Sequence, residues 1–456
     1  MPASSHYRPA PRFTSLGDAF YDVVEPARFP KHVLRFRNQR WADAVGLGAL
    51  TPAEWEAHFA RFEPLPDNLP APLALRYHGH QFQVYNPQLG DGRGFLFAQL
   101  EDGDGRLLDL ATKGSGPTPW SRGGDGRLTL KGGVREILAT EMLEALGVNT
   151  SKTWSLFETG EQLHRNDEPS PTRASVLVRL GHSHVRFGSF QRHAFHRDRE
   201  RLRALLDYSL ANFAPELCHF GDTDGAVRAF LQLVTERTAR LCASWMAAGF
   251  VHGVLNSDNL NITGESFDYG PWRFLPVFDP VFTAAYFDHN ALYAFGNQPS
   301  AVRWDLEQLA LALQPIAGNT SLSTVRAEFE AAFEPALDAA IVRRVGVRSR
   351  GPLFDRFLRT SVFRFLFDSK MGFERFFFDA YGGRAGHGAA MVEDLAAYEP
   401  VDPDRRAHPY FAGEAPCTML IDEMEALWAP IAERDDWTAL EAKLAQIRVM
   451  ADALGA

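Results

Sequence analysis

Residues 251–280, VHGVLNSDNLNITGESFDYGPWRFLPVFDP, concentrate short oxygen donors. Asn256, Asp258 and Asn259 follow His252-Gly253, and Asp268-Tyr269-Gly270 begins nine residues after Asn259. Such a set suits a divalent cation that bridges phosphates, because hard cations take carboxylate and carboxamide oxygens. Standing alone, the segment would read more simply as a polar turn.

It does not stand alone. Lys113 closes a strand pattern and Glu136 lies 23 residues on in a helical one, an order in which the acid can fix the lysine on nucleotide phosphates. Upstream, GDGRG (Gly90, Asp91, Gly92, Arg93, Gly94) heads a hairpin, where a glycine-rich loop would cover phosphates. The stretch ATKGSGPTPWSRGGDGR, 111–127, holds five glycines, two arginines and Lys113, and reads as a loop that wraps an anion. Further on, VRLGHSHVRFGSFQ, 178–191, presents Arg179 and Arg186 seven apart, and guanidinium is the group best shaped for phosphate oxygens. His182 and His184 between them read as structural.

The spacing from His252 to Asn259, followed by Asp-aromatic-Gly, resembles the catalytic and metal loops of protein kinases and aminoglycoside-kinase-like enzymes. Asn259 and Asp268 would then be the metal ligands. Two residues after the histidine, where such enzymes carry a catalytic aspartate, this chain has Val254. A hydrocarbon takes no proton, so either the site is silent or Asp258 has the role.

These residues need elements to hold them. The pattern predicts a helix over 54–62, ended by the four prolines of EPLPDNLPAP, 63–72, which reads as a linker. Strands are expected at 95–100 and 107–112 around a turn at 102–105, and again at 153–157 and 175–180. A helix is expected over 131–146, with Gly147 where a C-terminal cap belongs. Beyond about 200 the pattern is mostly helical: 199–213, 225–249, 301–313, 324–345, 353–368 and two more after Cys417. RHAFHRDRERLR, from Arg192, reads as a solvated helix start, and residues 1–12 as a loose tail.

The chain has 456 residues, 45% hydrophobic and 23% charged, with a net charge of −10. That is enough for two or three packed subdomains, and the acidic balance argues against nucleic acid as the default partner. No stretch is long and apolar enough for a membrane span, and the N-terminus lacks a signal-peptide core, so a cytoplasmic protein without a membrane role is expected. Cys218, Cys242 and Cys417 are scattered and read as free thiols.

Taken together, FYDVVEPARFP, YHGHQF, LGDGRG, LATKGSGPTPWSRGGDGR, REILATEMLEALGVNTSKTWSL, HVRFGSFQ, HGVLNSDNLNITGESFDYGPWRFL and GNQPSAVRWDLEQLALAL resemble the selenoprotein O family of kinase-like protein adenylyltransferases over roughly 15–370. The resemblance implies an α+β, bilobal protein-kinase-like fold. An N-terminal extension, 1–72, would pack on an antiparallel-sheet lobe with a helix, 73–190, followed by a larger, mostly helical lobe, 191–456. It implies ATP bound flipped in the cleft and AMP passed to Ser, Thr or Tyr hydroxyls of proteins. Gly90, Gly92, Arg93, Lys113, Asp125, Gly126, Arg179, Arg186 and Asp268 would bind nucleotide, Asp258 would accept the proton, and Asn259 with Asp268 would hold Mg²⁺ or Mn²⁺. Glu136 would anchor Lys113. A monomer is expected. The rivals are a conventional kinase-like phosphotransferase and an inactive nucleotide-binding pseudokinase scaffold. Family members often end in a Cys- or selenocysteine-containing tail; no cysteine follows Cys417 here, so redox control by a terminal thiol is not expected. Residues beyond about 400 match the family pattern poorly.

Overall fold

The computed structural model describes residues 6–166, 168–218, 222–317, 322–384 and 389–455. Ten strands come first: β1 (Tyr21–Val23), β2 (Val33–Arg37), β3 (Leu73–Leu75), β4 (Gly79–Gln81), β5 (Val84–Asn86), β6 (Leu96–Glu101), β7 (Leu107–Lys113), β8 (Leu128–Thr129), β9 (Lys152–Leu163) and β10 (Thr172–Gly181). All but the β4–β5 hairpin join one antiparallel sheet in the order β1-β3-β6-β7-β10-β9-β2, with β8 also on β10. Helices α1 (Gln39–Ala44), α2 (Pro52–Phe59) and α3 (Leu130–Ala145) lie among these strands.

Every residue of β7 is buried. Its run of apolar side chains on both faces is what a strand covered on two sides requires. One cover is α3, capped by Thr129 accepting from the Gly132 N–H, with Val134, Ile137 and Leu138 in the core. The other is an aromatic cluster in which Trp55 and Phe59 of α2 meet Phe97 and Trp154, the two indoles stacked at 5.2 Å. The β6–β7 turn is held by Asp102, whose Oδ1 accepts from the Asp104 and Arg106 N–H groups at 3.0 and 2.9 Å.

The helical part comprises α4 (Phe187–Phe195), α5 (Arg199–Phe213), α6 (Thr223–Ala247), α7 (Gln298–Ala317), α8 (Leu322–Val345), α9 (Pro352–Ser369), α10 (Phe373–Ala380), α11 (Ala389–Ala396), α12 (Ile421–Arg434) and α13 (Thr438–Leu454). Between α6 and α7, β11 (Phe250–Val251) pairs with β12 (Arg273–Phe274) and so closes the base of the loop at 252–272. The chain is thus α+β with an antiparallel sheet. Among the described residues, no helix is long and apolar enough to cross a membrane.

Two expectations fail and a third holds in part. Of the tail at 1–12, residues 1–5 lie outside the described residues. The remainder is not loose: the Ala10 N–H donates to Gln99 O, the Glu101 N–H to Arg8 O, and Phe13 is buried just beyond. The proline-rich 63–72 is no free linker, since Leu65 and Leu69 are buried in the core and Asn68 Nδ2 donates to Gln99 O at 2.8 Å. RHAFHRDRERLR does hold the start of α5 and keeps only His193 and Leu202 buried, as expected of a solvated helix start, but its first residues belong to the end of α4. Phe187 and Phe190 bury α4, and Asp198 caps α5 by accepting from the Arg201 N–H at 3.0 Å.

Candidate active site

Lys113 is the last residue of β7, and pairing with β10 sets Arg179 opposite Ala111 two residues earlier. Lys113 Nζ lies 2.5 Å from Glu136 Oε1 on α3 and 2.6 Å from Asp268 Oδ1. Arg179 Nη1 reaches the same Asp268 oxygen at 3.4 Å, and its guanidinium lies 5.2 Å from the Phe267 ring centroid. Burial would raise the Asp268 carboxyl, but Lys113, Arg179, Arg93 and Arg186 outweigh it and hold the group well below the usual carboxylate range. The side chain remains 27% exposed, so an ionised oxygen faces the cleft. Its backbone is left-handed, φ +63°, a costly conformation for a non-glycine residue that clusters at functional sites.

The loop at 252–259 is fixed from three sides. Gln298 of α7 accepts from the His252 N–H at 3.0 Å, and its amide donates to Phe250 O at 2.9 Å. Ser257 Oγ accepts from the His80 N–H at 2.8 Å and donates to Gln191 Oε1 at 2.9 Å. Asn256 Oδ1 accepts from the Phe82 N–H at 3.0 Å and from Tyr293 Oη at 2.8 Å. Asn259 Nδ2 donates to Val254 O at 3.0 Å, which leaves its Oδ1 for a cation.

Asp258 is buried in the cleft wall, and its Oδ1 has no hydrogen-bond partner. Burial pushes its carboxyl up to about 6 against the pull of Arg186. Arg186 Nη1 donates to Asp258 O at 2.9 Å, Nη2 lies 3.3 Å from Asp91 Oδ1, and the guanidinium stacks 4.4 Å from the Tyr77 ring centroid. Asp91 is fixed in turn by the Leu75 N–H, which donates to Oδ2 at 3.1 Å. Asp305 of α7 is buried with both carboxylate oxygens unpartnered; burial, with Asp258 adding to it, holds it well above the ordinary range.

The two glycine-rich stretches pack on each other. A side chain at Gly90 would collide with the Trp120 ring, and one at Gly92 would crowd the Trp120 carbonyl. Thr118 Oγ1 donates to Asp91 O and Ser121 Oγ to Gly92 O. GDGRG therefore carries glycines because a second loop lies against it, beyond any need to approach a ligand. Asp125 sits at the rim, paired with Arg165 at 2.8 Å. Gly126 has φ +68° and sits where any side chain would strike the Gly116 backbone.

Gly90, Gly92, Arg93, Lys113, Asp125, Gly126, Arg179, Arg186, Asp258, Asn259 and Asp268 all line one open cleft of about 750 Å³. Glu136 stands behind Lys113, outside that lining. His182 and His184 lie outside that lining as structural ties: the His182 N–H donates to Glu265 Oε2, the His184 N–H and ring both address Asp109, and His184 Nε2 accepts from Arg179 Nε at 3.2 Å. Cys242 and Cys417 are buried and Cys218 is exposed, all three as free thiols.

Sequence reasoning missed Tyr77 and Asp305, named Asn256 only as one of several oxygen donors, and treated Asp91 only as part of a glycine motif. An acid inside a loop expected to face phosphate was a usable signal, since it calls for a nearby cation. Asp305 gave none, because a lone Asp in a helical pattern looks like surface. Among the described residues, no group of three His, Cys, Asp or Glu side chains forms a metal cage. The donor set of Asn259 and Asp268 fits a hard cation that takes its remaining ligands from nucleotide phosphate and water.

The chain matches a family model described as Protein adenylyltransferase SelO over residues 4–385. It is 50% identical over 340 residues to a protein nucleotidyltransferase YdiU of Synechocystis, with 74% of this chain and 71% of the relative covered. Its likeness to the protein nucleotidyltransferase YdiU of Gloeobacter violaceus is 44% over 452 residues, covering 94% and 92%. With the protein of the same name from Vibrio parahaemolyticus it is 34% over 376 residues, covering 80% and 73%.

Proposed function

We propose, since this chain belongs to the SelO family of protein adenylyltransferases, that it transfers the adenylyl group of ATP to Ser, Thr or Tyr hydroxyls of proteins and releases pyrophosphate. In the transfer, the hydroxyl oxygen bonds to the α-phosphorus, the bond from that phosphorus to the bridging oxygen of the β-phosphate breaks, and the hydroxyl proton passes to the Asp258 carboxylate. Lys113, Arg179 and Arg186 supply fixed positive charge to the departing pyrophosphate, and preorganised charge of that kind is usually the largest single catalytic effect. Mg²⁺ or Mn²⁺, held by Asn259 and Asp268, would neutralise phosphate charge there; these oxygen donors suit either ion.

The observation that carries this reading is the combination of Val254, where a kinase has its base, with Asp258 in the same cleft wall, its backbone carbonyl held by Arg186. A phosphotransferase of the ordinary kind carries an aspartate where this chain has Val254, so the site departs from that pattern, and Asp258 is the acid in the cleft wall that can accept the hydroxyl proton. ATP would lie reversed relative to a kinase nucleotide, with its phosphates among the arginines. In this reading the sheet with its covers and the helical part from α4 onward are the two lobes of a kinase-like fold. A cytoplasmic monomer is the working state.

The test is to incubate the protein and a divalent cation with the proteins of a cell extract and ATP labelled on either the α- or the γ-phosphate. Protein-bound α label is the expected result. Transfer of γ label alone would mean a phosphotransferase, and transfer of neither a nucleotide-binding scaffold.

A further inference from the structure

A second groove, of about 480 Å³, opens off the cleft and shares Arg93, Lys113, Arg127 and Arg165 with it. Its charged lining is seven cations against two carboxylates, in a chain whose net charge is −10. Several of these cations are already committed to acids: Lys113 to Glu136 and Asp268, Arg127 to Glu161, Lys131 to Glu425, Arg165 to Asp125.

Arg135 and Arg273 are not. Arg135 Nη2 donates to the carbonyls of Gly270 and Trp272 at 3.0 and 3.2 Å, and its guanidinium lies 4.9 Å from the Trp272 ring centroid. Arg273 Nη1 donates to Pro271 O and Trp272 O at 3.2 and 2.8 Å. Neither forms an ion pair with a carboxylate among the described residues. Burial pushes Arg135 down to about 10, and the neighbouring charge of Arg273 pushes the same way. Glu425 also acts on both, but it is the ion-pair partner of Lys131, so two adjacent guanidiniums held by neutral carbonyls leave a net positive field suited to an incoming anion.

Beside them the same groove exposes aromatic surface, Tyr286 at 78% and Phe287 at 40%. The Phe287 ring lies 5.9 Å from that of Phe82, whose N–H is bonded to Asn256 in the loop that carries Asp258. The platform thus borders both the positive groove and the loop that would receive the acceptor hydroxyl. Exposed aromatic area next to arginine, at the mouth of a site, is the composition of a protein-binding surface. A small anion would satisfy the arginines and leave Tyr286 and Phe287 in water; a polypeptide segment covers both.

We infer that this groove is where the acceptor protein docks, and that it favours a segment with acidic side chains around the target hydroxyl residue. The inference rests on the proposed transfer to proteins. The probes are a random Glu–Tyr copolymer and a random Lys–Tyr copolymer, each offered with α-labelled ATP, beside cell-extract proteins as a control. The Glu–Tyr polymer should be labelled about tenfold faster or more at subsaturating concentration, a modest effect for complementary charge. Arg273→Glu should erase that preference, Arg273→Gln should weaken it, and Tyr286→Ser, at an exposed site, should raise the KM for the polymer. The KM for ATP should hold in all three. Equal labelling of the two polymers, a preference that survives Arg273→Glu, or label on extract proteins with none on the Glu–Tyr polymer would each overturn the docking assignment. Absence of α label from every acceptor would instead overturn the transfer on which it rests.

Discussion

Lys113 Nζ lies 2.6 Å from Asp268 Oδ1, so the lysine addresses the same carboxylate that the proposed metal ion would. In the proposed site the lysine would therefore be both a ligand for phosphate and a competitor for the metal. Lys113→Met should lower adenylyl transfer by about a hundredfold, the scale of losing one preorganised charge. In the absence of ATP it should tighten Mn²⁺ binding, measured by calorimetry. Weaker Mn²⁺ binding in that variant would exclude Asp268 as the ligand that Lys113 guards. Asp268→Ala should abolish both transfer and Mn²⁺ binding.

Asp258 joins activity to stability through pH. Its folded pKa is raised to about 6 by burial, against about 3.9 for an unperturbed aspartate. A raised acid holds its proton more tightly in the folded state. Its favourable contribution is therefore complete below about pH 4 and is lost as pH rises to about 6, a change of about 3 kcal/mol. Asp258→Asn should stop transfer yet raise the melting temperature at pH 8 by about 3 °C, given the unfolding entropy of a chain this size, and by less at pH 5.

Asp305 belongs to the same balance. With both oxygens buried and unpartnered and its proton held well above the ordinary range, Asp305→Asn should also stabilise the protein at pH 8. Because Asp258 is one cause of the Asp305 shift, the Asp258→Asn/Asp305→Asn double variant should gain less than the sum of the two singles. Strict additivity in thermal melts would show that the two carboxyls do not interact.

Arg186 works through shape as well as charge. It addresses the Asp258 carbonyl, the Asp91 carboxylate and the Tyr77 ring at once, and a lysine cannot reproduce a planar fork. Arg186→Lys should cost about tenfold to a hundredfold in kcat/KM, the scale of one or two charged hydrogen bonds. Asp91→Asn should give a smaller loss in the same direction, read from initial rates across ATP concentrations.

Gly94 tests the packing of the glycine loop. An alanine methyl there would strike the Thr112 carbonyl oxygen, one residue before Lys113, whereas Gly103 at the hairpin turn has open space around it. Gly94→Ala should therefore lose roughly 2–4 kcal/mol of stability by overpacking, seen as a lower melting temperature. Gly103→Ala should leave it nearly unchanged.

Much of the site was readable because its parts are local. Lys113 ends an apolar run, Glu136 falls on the buried stripe of α3, and Asn259 and Asp268 share one short loop, so spacing alone brought them forward. What pins them was not readable. Gln298 holds His252 from α7, and Asp91 meets Arg186 across 95 residues; neither meeting leaves a local pattern. The fold shows the same division. Helices with a clear 3.6-residue period kept their expected bounds to within a few residues. The short strands β1 and β2 and the helix α4 carry too few residues for a period to appear, and their conformation is set by the sheet and helices they pack on.

Arg35 of β2 and Arg173 of β10 both reach the carboxylate of Asp435, the residue just past the end of α12. Those contacts span 400 and 262 residues, and they add to the Glu158 carboxylate of β9, which pairs with both arginines at 2.6 Å. Arg173 lies on β10, the strand that also carries Arg179, so the same strand is tied both to its neighbour β9 and to the end of α12. Closure over such separations is slow and leaves partly folded chains exposed. The clamp between the sheet and the end of α12 is accordingly a contact of long sequence separation, the kind that forms late in folding.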